Sequence, residues 1–167
     1  MTFKYSPTGS VVWRNEYIST SGGSTEAKAI AIDDSGNVLV GGITWRSGGG
    51  MPDFTIIKYS AQGNSLWAAL FHRDTSRAGS LSDIAVDRNG NVYATGSVSN
   101  SVCPEGICSF DFATLKFNRS GEQEWVRYYS QTNLSDDSPF ALRTTSSNNV
   151  IVTGKTVSIG KEDVAVI

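Results

Sequence analysis

The sequence is short of the residues on which most active sites are built. Among 167 residues there is one histidine and there are two cysteines. The histidine, His72, opens the run HRDTSR with Asp74 close behind it. Such a pair could serve as a general base, but no nucleophile signature of the G-x-S-x-G kind accompanies it, and a solvated loop histidine is the plainer reading. Charge is sparing too, with 14 basic and 16 acidic residues and a net charge of −2. No basic run or stripe suits a phosphate backbone, so nucleic acid is not an expected partner. No apolar stretch approaches the roughly 18 residues of a spanning helix, so membrane insertion is not expected. Met1 leads straight into a strand-like segment, and no secretory leader is read there. No segment sustains a 3.6-residue apolar period, which predicts almost no helix. The GKT run at Gly154–Thr156 mimics the end of a phosphate loop, but Asn149 stands where that loop needs its first glycine. No catalytic residue, cofactor or metal is expected from these absences.

What the sequence has is repetition. The segment DFTIIKYSAQGNSLW, Asp53 to Trp67, returns as DFATLKFNRSGEQEW, Asp111 to Trp125, and in short form as FKYSPTGSVVW, Phe3 to Trp13. A second block, IAIDDSGNVLVGG from Ile30 to Gly42, returns as IAVDRNGNVYATG from Ile84 to Gly96 and, degraded, as LRTTSSNNVIVTG from Leu142 to Gly154. Lys4, Lys58 and Lys116 are therefore equivalent, as are Trp13, Trp67 and Trp125, at a spacing of roughly 55 residues. Each unit reads as four short strands: Ile30 to Asp33, Val38 to Ile43, Asp53 to Ser60 and Ser65 to Phe71. The strands are rich in β-branched and aromatic residues, and the turns between them hold Gly, Asn, Asp and Ser. Four antiparallel strands repeated at this period form the blade of a β-propeller. The fold class is all-β, a single repeat array over residues 1–167, with blade units at 29–71, 82–130 and 140–167 and N-terminal strands over 2–18.

The pattern D-[FY]-x-T-[IL]-K-[YF]-x-x-x-G-x-x-x-W, followed by I-A-[IV]-D-x-x-G-N-V-[YL]-x-x-G, resembles the SBBP-type β-propeller repeat. The likeness is close at Asp53 to Trp67, Ile84 to Gly96 and Asp111 to Trp125. The third unit departs from it, with Thr145 for the Asp, Asn148 for the Gly and Arg143 for Ala31 and Ala85. The resemblance implies a propeller of the sort often found in secreted or cell-surface microbial proteins, and it implies no shared catalytic residues. By analogy with other propellers, the IAVD strand is innermost and the Trp strand outermost.

About three blades fall short of the roughly 4–8 that close a ring. DVAVI, Asp163 to Ile167, aligns with DFTII, so the residues that would follow Ile167 match Lys4-Tyr5. Two arrangements follow. A homodimer of six blades could form, each N-terminal strand completing the partner's last blade, or the remaining blades could belong to a longer propeller. The dimer is preferred, although Met1 to Phe3 and Ala165 to Ile167 compete for one strand.

Cys103 and Cys108 share one insertion, CPEGIC. A disulfide is the favoured reading and suits an oxidising compartment. Two free thiols, or half a zinc site, are the alternatives. Asp33, Ser35 and Asn37, with Asp87, Asn89 and Asn91, resemble the start of a calcium loop but lack its bidentate Glu, and hairpin turns account for them.

Variation among the copies marks the candidate binding residues. The turns inside the repeated blocks are alike and share one face. The segments from Thr44 to Pro52, Val98 to Phe110 and Val157 to Glu162, with the blade-to-blade connections, differ and share the other. Binding specificity commonly sits in such variable segments on a constant scaffold. Trp45 and Arg46 form an aromatic–arginine pair of the kind that anchors a partner, with Trp45 packing under its own loop as the equal alternative. His72 and Arg73 lie in a blade-to-blade connection. Arg143 falls on an innermost strand, where it could face the channel and favour an anion. Trp13, Trp67 and Trp125 recur at one repeat position and read as packing. The function expected is a non-catalytic binding or scaffold module presenting loops to a protein or glycan. The alternative is an enzyme or small-anion binder at the channel mouth, working through Arg143, His72 and Arg46.

Overall fold

The computed structural model describes residues 1–20, 22–48, 50–73, 79–99, 109–130, 136–158 and 161–166. Among them there are strands and turns and no helix. The strands are β1 (Thr2–Tyr5), β2 (Val11–Asn15), β3 (Thr25–Ile32), β4 (Val38–Arg46), β5 (Gly50–Tyr59), β6 (Ser65–Phe71), β7 (Gly79–Val86), β8 (Val92–Ser99), β9 (Phe110–Phe117), β10 (Gln123–Tyr129), β11 (Asp136–Thr144), β12 (Val150–Ser158) and β13 (Lys161–Val166). They form two four-stranded sheets, β3-β4-β5-β6 and β7-β8-β9-β10, a three-stranded sheet β11-β12-β13, and the hairpin β1-β2. All pairings are antiparallel between chain neighbours. In repeat terms, β1 and β2 correspond to β5 and β6, the third and fourth strands of a unit.

The sheets start earlier than the apolar pattern predicts, at Thr25, Gly79 and Asp136 rather than at residues 29, 82 and 140. The reason is a bulge in each first strand, where the register slips between Ala27 and Ala29, between Leu81 and Asp83, and between Pro139 and Ala141. A bulge breaks the period-two alternation by which a strand is recognised. Opposite each bulge stands an equivalent glycine: Gly42, Gly96 or Gly154. A Cβ at Gly96 would lie 2.3 Å from the Ser80 carbonyl and 2.5 Å from the Phe54 ring; at Gly154 the corresponding distances, to Ser138 and Phe112, are 2.2 and 2.6 Å. The glycine thus makes room both for the bulge and for the phenylalanine of the preceding sheet's third strand.

The core lies between sheets rather than inside any one of them. Leu39, Phe54 and Phe71 of the first complete sheet pack with Leu81, Ile84, Val92, Leu115 and Phe117 of the second. Tyr93 and Phe112 of the second pack with Leu142 and Val152 of the third. Val38, Val40, Ile57 and Tyr59 meet Trp13 and Tyr17. Each large side chain so buried contributes about 1.5–3 kcal/mol, which a lone sheet could not gain. The first strands β3, β7 and β11 contact one another in succession, the arrangement expected of inner strands.

Candidate functional site

The two ends of the sheets differ in how their connections are held. At one end lie the turns of the repeated blocks. Asp33 Oδ1 accepts backbone N–H donors from Ser35 (3.0 Å) and Asn37 (2.9 Å), and Oδ2 accepts from Asn37 Nδ2 (2.9 Å). Asp87 repeats all three bonds with Asn89 and Asn91. Asn118 and Ser60 do the same for the second hairpin of each unit, receiving the N–H groups two and four residues on. Thr145, standing where Asp is expected, accepts from the Asn149 N–H at 3.1 Å, so the degraded third unit keeps the turn with a hydroxyl. Its glycine position holds Asn148 at φ 62°, a left-handed conformation that asparagine tolerates. Both carboxylate oxygens of Asp33 and of Asp87 thus accept hydrogen bonds from their own turns. Among the described residues no group of three or more His, Cys, Asp or Glu could hold a metal ion.

Beneath these turns the two complete sheets solve the same electrostatic problem differently. In the first, Lys58 Nζ pairs with Asp33 Oδ2 at 2.9 Å, both side chains being buried. Burial pushes the Asp33 carboxyl up, but hydrogen bonds from Lys58 and Asn37 outweigh it and hold the group below its ordinary range. In the second, Leu39 is replaced by Tyr93, whose hydroxyl donates to Asp87 Oδ2 at 3.2 Å, and Lys116 turns outward to Glu124 at 2.7 Å. That bond to Glu124 raises the Lys116 pKa, while burial raises that of Tyr93. Between the two turns lies a polar hollow of about 360 Å³, lined by Asp34, Arg88 and Arg119 among others.

At the opposite end the connections vary and the anchors are arginines. Arg46 Nε and Nη2 donate to the two carboxylate oxygens of Asp53, both at 2.9 Å. Asp53 is 4% exposed. Its equivalent in the next sheet, Asp111, is also 4% exposed and accepts from Arg73 Nη1 at 3.0 Å. The Arg73 guanidinium lies 4.4 Å from the centre of the Tyr128 ring, within cation–π range, and also donates to the Ser99 carbonyl at 3.4 Å. The same repeat carboxylate is thus met by an arginine from its own hairpin in one sheet and from the preceding blade-to-blade connection in the next.

The predicted residues are distributed accordingly. The segment expected to loop from Thr44 to Pro52 is largely strand: Thr44 pairs with Asp53 and Arg46 with Gly50. The Arg46–Asp53 pair and a 2.6 Å hydrogen bond between the Thr44 and Thr55 hydroxyls extend the hairpin past the point where the repeat pattern stops. Trp45 is half-buried against the core cluster of the two complete sheets, and its backbone N–H donates to the Ser24 carbonyl at 2.9 Å. His72 is exposed beside Arg73. Arg143 lies near the other end of its strand, one residue before Thr144 and the Thr145 turn, and donates to Asp83 at 2.8 Å. Arg46, His72 and Arg73 therefore share the variable end, and Arg143 does not join them. The GKT run lies within β12. Cys103 and Cys108 lie outside the described residues. Asp53, Asp111, Asp83 and Tyr128 are partners of these arginines that pattern reading passed over. Asp53 and Asp111 were visible as repeat positions, but their arginines come from unlike segments, so comparing the copies could not pair them.

A family model for the SBBP β-propeller repeat matches residues 16–48 and 80–100. These segments take in β3 with β4 and most of β7 with β8, the inner halves of the two complete sheets. No curated protein matches the chain.

Proposed function

We propose that this chain, an array of SBBP β-propeller repeats, is a non-catalytic binding module that presents its variable end to a protein or glycan. One observation carries the reading: Asp53 and Asp111 are held by arginines that arrive from different segments. A scaffold built this way keeps its sheets unchanged while the segments above them change, the division of labour on which loop-borne recognition depends. The exposed His72 and the half-buried Trp45 and Arg46 lie at that end and supply aromatic and polar contacts suited to such a surface. Two copies close one six-bladed ring in this proposal, each lending its β1-β2 hairpin to the other's three-stranded sheet. A secreted or cell-surface location accords with the family resemblance and with the Cys103–Cys108 spacing.

The test is a screen of the purified chain against a glycan array and a phage-displayed peptide library. Binders are expected, and replacing residues 46–50 by a two-residue turn should weaken their capture by about tenfold or more. Absence of any binder, or capture unaffected by that replacement, contradicts the reading.

A further inference from the structure

The junctions inside the chain show what it takes to cover a sheet of this array. At each one an outer-strand tryptophan reaches forward. Trp13 Nε1 donates to the Ala61 carbonyl of the next sheet and Trp67 Nε1 to the Arg119 carbonyl, both at 3.1 Å. Each ring lies over a glycine in the same turn: a Cβ on Gly63 would stand 2.8 Å from Trp13, and one on Gly121 would stand 2.7 Å from Trp67. Two apolar side chains of the facing third strand complete the junction, Ile57 and Tyr59 with Trp13, Leu115 and Phe117 with Trp67.

Trp125 is the third of this series, and among the described residues its junction is incomplete. Among the described residues no turn carbonyl accepts from its indole. Beside it lies a hollow of about 270 Å³, chiefly apolar, lined by Phe112, Trp125, Arg127, Tyr129, Val150 and Val152 among others. The pieces that would complete it are displayed elsewhere on the chain. Phe3 and Tyr5, the equivalents of Ile57 and Tyr59, are 43% and 58% exposed and stack on each other at 5.9 Å. Gly9, the equivalent of Gly63 and Gly121, has φ +81° and nothing within 4 Å of where its Cβ would stand. The remaining faces show the same complementarity. Ile30 is 61% exposed, whereas its equivalents Ile84 and Leu142 are 2% and 1% exposed. Ile151 is 46% exposed where Leu39 is fully buried.

We infer that the occupant of the Trp125 hollow is a second copy of this chain, docked as a continuation of the blade-to-blade junction seen twice within it. The second copy's Phe3 and Tyr5 fill the hollow, Trp125 Nε1 donates to its Pro7 carbonyl over Gly9, and its Ile30 and Ile32 cover Ile151. Each chain carries one hollow and one hairpin, so two such contacts related by a twofold axis satisfy both chains. The inference rests on the two-copy ring proposed above and specifies which surfaces meet.

The test uses sedimentation of the whole chain and two charge variants. Wild type is expected at twice 17.9 kDa. Ile30→Lys alone and Ile151→Asp alone are each expected at the single-chain mass. An equimolar mixture of the two is expected to regain the doubled mass, because one interface is then apolar and the other pairs Lys with Asp. This rescue excludes misfolding as the cause of dissociation. A monodisperse single-chain mass for wild type, or an open ladder of larger masses, overturns both the inference and the two-copy ring. A doubled mass that survives in both single variants overturns the inference alone.

Discussion

Arg73 and Asp111 stand 3.0 Å apart across the boundary between two blades, joining the connection that leaves β6 to the start of β9. The equivalent carboxylate in the preceding sheet, Asp53, is held at 2.9 Å by Arg46 from within the same hairpin. Removing Arg73 leaves a buried carboxylate without its guanidinium and withdraws the cation over Tyr128. Arg73→Ala is expected to cost about 2–3 kcal/mol of stability, read from urea unfolding. Arg46→Ala is expected to cost a similar amount. If both variants unfold like wild type, these pairs do not anchor the variable end.

The repeat lysines Lys58 and Lys116 are not interchangeable. Lys58 has a buried partner in Asp33, whereas the Glu124 partner of Lys116 is well exposed. Lys58→Met strands the Asp33 carboxylate and is expected to cost about 3 kcal/mol. Lys116→Met breaks a surface pair and is expected to cost about 1 kcal/mol or less, because Tyr93 still satisfies Asp87. Equal losses in the two variants would contradict the division of roles between Lys58 and Tyr93.

Acid should weaken the Lys58–Asp33 pair. The folded-state pKa of Asp33 lies below its ordinary value of 3.8. A carboxyl depressed on folding contributes stability that is complete above the unfolded-state pKa and is lost as pH falls through the folded one. Urea midpoints measured from pH 7 downward should therefore fall in the region below about pH 4, and Asp33→Asn should lower the neutral plateau and flatten that acid limb. An acid limb unchanged in Asp33→Asn would remove this residue as its source.

Much of this was legible in the sequence, for a physical reason. A repeat writes its architecture several times, so Lys4, Lys58 and Lys116 or Trp13, Trp67 and Trp125 could be aligned without any other protein, and each alignment fixed a strand and its face. The bulges at Ala27–Ala29 and Leu81–Asp83 were hidden because they break the alternation that reveals strands. The candidate site was less legible. Arg46 and Arg73 stood out as departures from the repeat, but they carry their meaning through Asp53 and Asp111, which look purely structural until the strands are placed. Arg143 shows the limit of departure as a signal: it is unlike Ala31 and Ala85, yet it reaches Asp83 of the neighbouring first strand rather than joining the variable end.

The tryptophan–glycine contacts carry their own expectation. Gly63 and Gly121 have φ of +91° and +87° and no room for a Cβ. Gly63→Ala and Gly121→Ala should each cost about 2 kcal/mol or more, from left-handed strain together with displacement of the ring. Trp67→Phe, which keeps an aromatic ring but loses the bond to Arg119, should cost about 1 kcal/mol from that bond. Thermal melts compare them. Glycine variants milder than Trp67→Phe would mean that the ring does not depend on the turn.

The central claim, that one end of the array binds while the other holds the sheets together, is tested most directly by amide hydrogen exchange with and without a glycan or peptide selected in the screen. Protection concentrated in β4 near Trp45 and Arg46 and in the segment around His72 and Arg73 is the predicted result. Protection confined to the Asp33–Asn37 and Ser60–Asn64 turns, with the variable end unchanged, would contradict it.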